Sequence, residues 1–266
     1  MCIRDRMIPM LLMGVCQGLF EWLPVSSEGM IATIYSFVFE KSYQESIQFA
    51  LWLHLGTVPS AAIVFRKSLW NLTLELTNSK GQYSSKLKFL LTSTVISAPI
   101  GFGIYIGVDE LTQVAGSLFM IFVGVAMLVT GLVQLRYRVF NDRPASELNF
   151  VDGIVAGIAQ GVSVIPGFSR SGMTISALTL RGIDRREILA LSYVMSMPVS
   201  LGAALWIGIT QGFAWSVEAL LSAVIAFVIG LFTIKLLISV SSKVNLGLFI
   251  IVMGLFIIVG GVVTNI

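Results

Sequence analysis

Glu21, Ser27 and Arg170 are a carboxylate, a hydroxyl and a guanidinium set in otherwise apolar sequence. Together they could accept a proton, attack an electrophile and hold an anion. Gln17 and Glu21 are spaced i, i+4, so they share one helix face. A glutamate among apolar residues needs a partner, which could be a metal ion, Arg170 or a shared proton, or the backbone at a helix break. Pro24 ends the helix, because it lacks an N–H and restricts the residue before it. Ser26 or Ser27 can then cap the next one. Such a helix start offers free N–H groups and a positive dipole end, which suits an anionic oxygen. Ser26 reads as the cap and Ser27 as the hydroxyl with a chemical role. In the second segment Arg170 stands between Ser169 and Ser171, with Thr174 one turn on. A guanidinium is a planar fork of donors that matches phosphate geometry. The competing reading is an Arg170–Glu21 ion pair that fastens two segments and opens when a phosphate arrives.

These residues belong to two copies of one pattern. Gln17 to Gly29 is twelve residues, and so is Gln160 to Gly172. Each copy carries Gly-x-x-Gln-Gly followed by a Pro/Ser/Gly turn (Gly14–Met30 and Gly157–Met173). Polar, irregular backbone persists in hydrocarbon mainly where it lines a protein-enclosed cavity. Two broken helices that build one site are the expected arrangement. The hydrophobic regions 8–39 and 150–180 therefore read as re-entrant helical hairpins. Six further stretches, about 47–65, 88–107, 115–135, 187–208, 216–237 and 245–264, are long and apolar enough to span. The expected fold is an all-α membrane protein of six transmembrane helices plus two re-entrant hairpins, in an inverted-topology repeat of 7–142 and 143–266. Residues 1–6 read as a leader or assembly artefact, with Met7 as the start.

Composition agrees. The chain is 56% hydrophobic and 12% charged, with mean hydropathy +0.91, which marks a multi-spanning membrane protein. Connections that should share one side carry thirteen Lys and Arg, against three on the other, one of them Lys41. The first set is then cytoplasmic and both termini lie outside. Arg181, Arg185 and Arg186 read as orientation charges beside anionic headgroups. Net charge is only +3, so nucleic acid is excluded as a partner. Cys2 and Cys16 give no pairing framework, and Cys16 reads as a buried small hydrophobe. His54, the only histidine, reads first as a hydrogen-bonded packing residue, with a role as proton carrier left open.

The two motifs resemble the undecaprenyl-diphosphate phosphatases of the bacitracin-resistance type. Gln17-Gly-Leu-Phe-Glu21-Trp-Leu-Pro24-Val-Ser26-Ser27-Glu28-Gly29 is similar to their first signature, and Pro166-Gly-Phe-Ser169-Arg170-Ser171-Gly-Met-Thr174 to their second. The resemblance covers nearly the whole chain. It implies a plasma-membrane phosphatase that removes one phosphate from a polyprenyl diphosphate carrier, with a divalent cation, Mg2+ or Ca2+, and a site open to the outer face. By position, Gln17 and Glu21 take metal and acid–base roles, Ser27 is the candidate nucleophile, and Ser26, Ser169, Ser171 and Thr174 join Arg170 at the substrate. Partners are the lipid substrate and bilayer lipids, with a homodimer left open. The chain departs from the family where Met30 replaces a histidine and Glu28 a threonine. Either Glu28 and Glu21 share the proton work, His54 supplies it, or the chain is a divergent member with weak or different activity; among the ionisable groups Glu21 ranks first by position. The Ser-Ser-Glu-Gly form is closer to archaeal relatives, whose carrier is of the dolichyl type. A transporter or lipid flippase is the rival reading, because inverted repeats with broken helices also build transporters.

Overall fold

A computed structural model describes residues 3–23, 25–78, 82–115, 118–136, 143–240 and 246–263. Pro24, residues 1 and 2 and the 137–142 link between the expected halves lie outside these ranges. Twelve α-helices and two short 3-10 helices, Ala145–Glu147 and Gly212–Trp215, are the helical elements of the described residues, whose only β pairing is a single bridge between Arg143 and Ile183. The first segment forms α1 (Ile3–Phe20) and α2 (Ser27–Phe39); α1 thus begins inside the stretch set aside as a leader. The second forms α8 (Phe150–Val162) and α9 (Arg170–Leu180). Both pairs are interrupted at the repeated motif. An Asn149/Asp152 capping box starts α8, so its first N–H groups have partners.

Four helical stretches are long and apolar enough to cross a membrane: Tyr43–Val64, Ser85–Val108, Glu187–Thr210 and Val217–Ile238. Their helices are α3 (Tyr43–Trp52) continued by α4 (His54–Val64), α6 (Ser85–Ala115), α10 (Arg185–Thr210) and α11 (Val217–Val240). The expected spans 115–135 and 245–264 appear as α7 (Leu118–Arg136) and α12 (Leu246–Val263), whose described apolar stretches, Ile121–Val133 and Ile250–Val262, are shorter.

Three further expectations change. The first span is broken at Leu53, where Gly56 N–H bonds to the Leu53 carbonyl three residues back and tightens the turn. The expected connection at 66–88 contains a helix, α5 (Arg66–Asn78). The expected loop at 108–114 is helical, as the last part of α6.

Helix α1 packs on α11, and α8 packs on α6, so each motif-bearing segment leans on a span from the other half of the sequence. Glycine permits both approaches: a Cβ at Gly14 would lie 2.4 Å from the Ser222 carbonyl oxygen, and one at Gly157 2.9 Å from that of Ser93. α4 rests on both α10 and α11. A core cluster around Trp22, Leu178, Tyr193 and Met195 joins the two motif regions to α10.

Below that core, fully buried Asp152 pairs with Arg143 at 2.7 Å and Arg181 at 2.6 Å. Arg181 therefore engages a carboxylate; it is not a free orientation charge. Asp152 lies on α8 one turn past its capping residue, where it meets both guanidiniums. Backbone bonds Arg143 N–H to Gly182 O (3.0 Å) and Asp184 N–H to Arg143 O (2.9 Å) complete this clasp. Cys16 is half-buried, not buried, because its helix is only partly covered at that position.

Candidate active site

The two interrupted segments meet tip to tip. Ser26 caps α2 by accepting the Gly29 N–H at 3.2 Å, and the same oxygen accepts the Gly167 N–H of the other tip at 2.9 Å. Gly167 has φ +102°, a conformation open to glycine, and a Cβ there would meet the Val123 carbonyl at 2.5 Å. Ser171 returns the contact by donating to the Leu23 carbonyl at 3.1 Å. From α10, Tyr193 donates to the Trp22 carbonyl at 2.6 Å, and its ring meets Trp22 edge-on. The backbone of the first break is thus held from α9 and from α10.

Glu21 lies at the centre of this frame, just past the end of α1, with its side chain 2% exposed. Gln17 Nε2 and Ser27 Oγ each donate to its Oε2 at 2.9 Å. Arg170, the first residue of α9, donates one Nη to Glu21 Oε1 and the other to Ser200 Oγ on α10. Ser27 Oγ also lies 3.2 Å from Glu28 Oε2, and thus between two carboxylates. His54 opens α4 because the first span breaks at Leu53, and that break aims its ring inward. Its Nδ1 lies 3.0 Å from the Leu51 carbonyl. Its Nε2 lies 3.4 Å from both Glu21 Oε2 and Glu28 Oε1, in ion-pair range but without a hydrogen bond to either. With Nδ1 donating to a carbonyl, Nε2 is the nitrogen left to exchange a proton with the carboxylates.

Gln17, Glu21, Ser27, Glu28, His54 and Arg170 are therefore brought together. The remaining motif hydroxyls have other partners. Ser26 and Ser171 latch the tips. Ser169 caps α9 by accepting the Gly172 N–H at 3.1 Å. Thr174 shares a 2.6 Å hydrogen bond with Ser192 and donates to the Arg170 carbonyl at 2.9 Å.

Sequence reasoning passed over Ser200 and Tyr193. Ser200 has a visible signal: Ser192, Ser196 and Ser200 recur every four residues along apolar α10, and all three are buried. Met30, at the position of the family's histidine, is buried in the apolar cluster with Val25 and Ala32.

Three of these side chains could hold a divalent cation. Ligand atoms of Glu21, Glu28 and His54 all lie within 4.8 Å of one another. Gln17 Oε1 is buried without a hydrogen-bond partner among the described residues, and a carboxylate pair with a spare carbonyl oxygen suits Mg2+ or Ca2+. The half-buried Arg170 offers two donors in a plane, and the α2 and α9 starts add backbone N–H groups, an arrangement suited to phosphate oxygens.

An all-helical, multi-pass membrane protein whose two broken segments enclose a Glu–Ser–His–Arg centre defines a class in which polar chemistry is done within the apolar part of the fold. Residues 10–262 match the family described as bacitracin resistance protein BacA, and the chain belongs to that family. It is 34% identical to the undecaprenyl-diphosphatase of Methanococcoides burtonii over 92% of this chain and 94% of that protein. Identity to the undecaprenyl-diphosphatase of Saccharolobus solfataricus is 32% over 96% of this chain and 95% of that protein. For that of Haloarcula marismortui it is 31% over 94% and 96%.

Proposed function

We propose that this protein is a membrane phosphatase that hydrolyses a polyprenyl diphosphate to the monophosphate and inorganic phosphate, recycling a lipid carrier. The observation that carries the reading is the meeting of Arg170 from the second motif with Glu21, Ser27 and His54 from the first half. Family membership and the undecaprenyl-diphosphatase relatives supply the substrate class.

In this reading the terminal phosphate enters between the α2 and α9 starts. Arg170 turns its fork from Glu21 toward the phosphate oxygens and stabilises the charge that develops on them. Ser200 keeps its bond to the second Nη and limits how far the guanidinium swings. The attacking oxygen, Ser27 Oγ or a water in its place, forms a bond to the terminal phosphorus. The bridging P–O bond breaks, and the polyprenyl monophosphate leaves. The proton lost by the attacking oxygen passes to a carboxylate of Glu21 or Glu28, with His54 Nε2 as their relay. If Ser27 attacks, water then releases the phosphate from it. Glu21, Glu28 and Gln17 Oε1 would hold the divalent cation, which supplies neutralisation of phosphate charge and a more acidic nucleophile.

We also infer the finer architecture: six spans with the two interrupted segments as re-entrant hairpins, in two inverted halves, 7–142 and 143–266. The reciprocal packing of α1 on α11 and α8 on α6 supports it. The thirteen-to-three distribution of Lys and Arg supports a topology with the basic connections in the cytoplasm of a plasma-membrane protein and both termini outside. The test is phosphate release by purified protein in detergent from undecaprenyl or dolichyl diphosphate, with and without a chelator. Movement of intact lipid between vesicle leaflets without phosphate release would overturn the reading in favour of a flippase.

A further inference from the structure

Helix α5 has three faces, and two of them already have partners. Leu69 and Leu72 pack with Phe65 against the central core cluster. The polar edge is tied to the start of α6: Glu75 accepts from the Ser84 N–H and hydroxyl, and Lys86 Nζ donates to Ser68 Oγ at 3.0 Å. The third face carries Arg66, Lys67, Trp70 and Leu74, spaced so that they share one stripe. Trp70 is 64% exposed and Leu74 41%. Among the described residues no carboxylate pairs with Arg66 or Lys67.

The position of α5 limits what can cover this face. It follows the membrane-long stretch Tyr43–Val64 after a single residue, Phe65. Its 13 residues make a helix about 20 Å long, too short for a hydrocarbon core of about 30 Å. It therefore begins where a span ends. Arg66 donates one Nη to the Ile63 carbonyl at 3.0 Å, and a face with an indole and a leucine beside two cations that have no carboxylate partner among the described residues fits the boundary between acyl chains and phosphates. A second copy facing it across a two-fold axis would bring those cations against like charges. A water-soluble acidic partner would match the cations but give the span-end position no role.

We propose that the Arg66–Lys67–Trp70–Leu74 face of α5 lies in the membrane interface and binds anionic phospholipid headgroups. Trp70 and Leu74 enter the acyl boundary, and Arg66 and Lys67 sit on lipid phosphates. Because α5 follows α4 directly, this contact also sets the depth of the helix that opens with His54.

The full chain is reconstituted in nanodiscs containing bromine-labelled phosphatidylglycerol or bromine-labelled phosphatidylcholine at equal mole fraction. Trp70 emission is taken as the difference between the wild type and Trp70→Phe. The expected result is a blue-shifted difference spectrum, quenched more strongly by the labelled phosphatidylglycerol. Each basic residue near an anionic surface shifts the local preference roughly fivefold. The double variant Arg66→Gln/Lys67→Gln should therefore lose most of the phosphatidylglycerol preference, with unchanged helical circular dichroism and with quenching by either lipid retained. Emission typical of water, unquenched by both lipids, overturns the proposal. So does equal quenching by the two lipids in the wild type, which would mean insertion without headgroup recognition. A blue shift that grows with protein concentration in detergent would assign the face to a second copy instead.

Discussion

His54→Gln is the most discriminating substitution in the proposed centre. Glutamine keeps a polar group of similar reach at a site 1% exposed, so packing and the tie to the Leu51 carbonyl are largely preserved. What is lost is the nitrogen 3.4 Å from both Glu21 and Glu28. A positioned acid–base group contributes about 10²–10⁴-fold, or about 3–5 kcal/mol of activation free energy. The distances are long for proton transfer, as is common before substrate binds, so we expect a loss toward the lower end, about 10²-fold in kcat with KM little changed. The assay is phosphate release from undecaprenyl diphosphate in detergent, alongside the thermal midpoint of the same samples. Unaltered kcat with a normal midpoint would refute the relay role and return His54 to packing. Glu21→Gln, the variant first suggested by the family position, is a weaker test. Glu21 holds Arg170, Gln17 and Ser27 at once, so its loss removes positioning as well as chemistry.

Three further outcomes follow from named contacts. Arg170→Lys should lose most activity although it keeps the charge, because a lysine cannot reach Glu21 and Ser200 together; a near wild-type rate would show that charge alone suffices. Ser26→Ala removes a cap worth about 1 kcal/mol and leaves the Gly167 N–H without its acceptor, at about 1–3 kcal/mol; a thermal midpoint unchanged in detergent would show that the tips are not latched through this hydroxyl. Asp152→Asn leaves Arg143 and Arg181 facing a neutral group, and because their side chains are 24% and 34% exposed the remaining charges stay partly solvated, so the loss should fall below the about 3–5 kcal/mol of a fully buried pair; the midpoint should still fall in detergent, and an unchanged midpoint would place the clasp outside the cooperative core.

Much of the membrane architecture was legible because hydropathy reports it directly. Apolar runs of about twenty residues have few alternatives to spanning, and four of them emerge as membrane-long helices. The motif breaks were legible for the same reason, since Pro, Ser and Gly in an apolar run disrupt a helix. Three features were not. The break at Leu53 lies in an unremarkable apolar sequence and depends on local turn hydrogen bonds. α5 is amphipathic, and with mean hydropathy no longer apolar it read as a connection. The convergence of His54 on Glu21 and Glu28 joins residues 33 and 26 positions apart, and a single sequence contains no signal for it. Ser200 and Tyr193 belong to a middle case: their helix was expected, and the periodic serines on it were visible, but which face met the motifs depended on tertiary packing.

The Arg170–Glu21 pair unites the two readings that the sequence left side by side, a structural fastener and a phosphate clamp. A guanidinium in a site this dry must have a counter-charge, because isolated burial of an ion costs several kcal/mol. Glu21 supplies it while substrate is absent, and the same contact draws the two tips together. A diphosphate brings its own negative charge, so it can replace Glu21 as Arg170's partner without leaving the cation bare. Glu21 is then the group whose charge needs compensation, and it already lies beside Gln17, Ser27 and His54. Substrate arrival would thus transfer the unpaired charge from the arginine, which has no proton to exchange, to a carboxylate that can take one up or hold a divalent cation. Neutralising Arg170 in the resting state and becoming active in the loaded state are, in this arrangement, consecutive roles of one side chain.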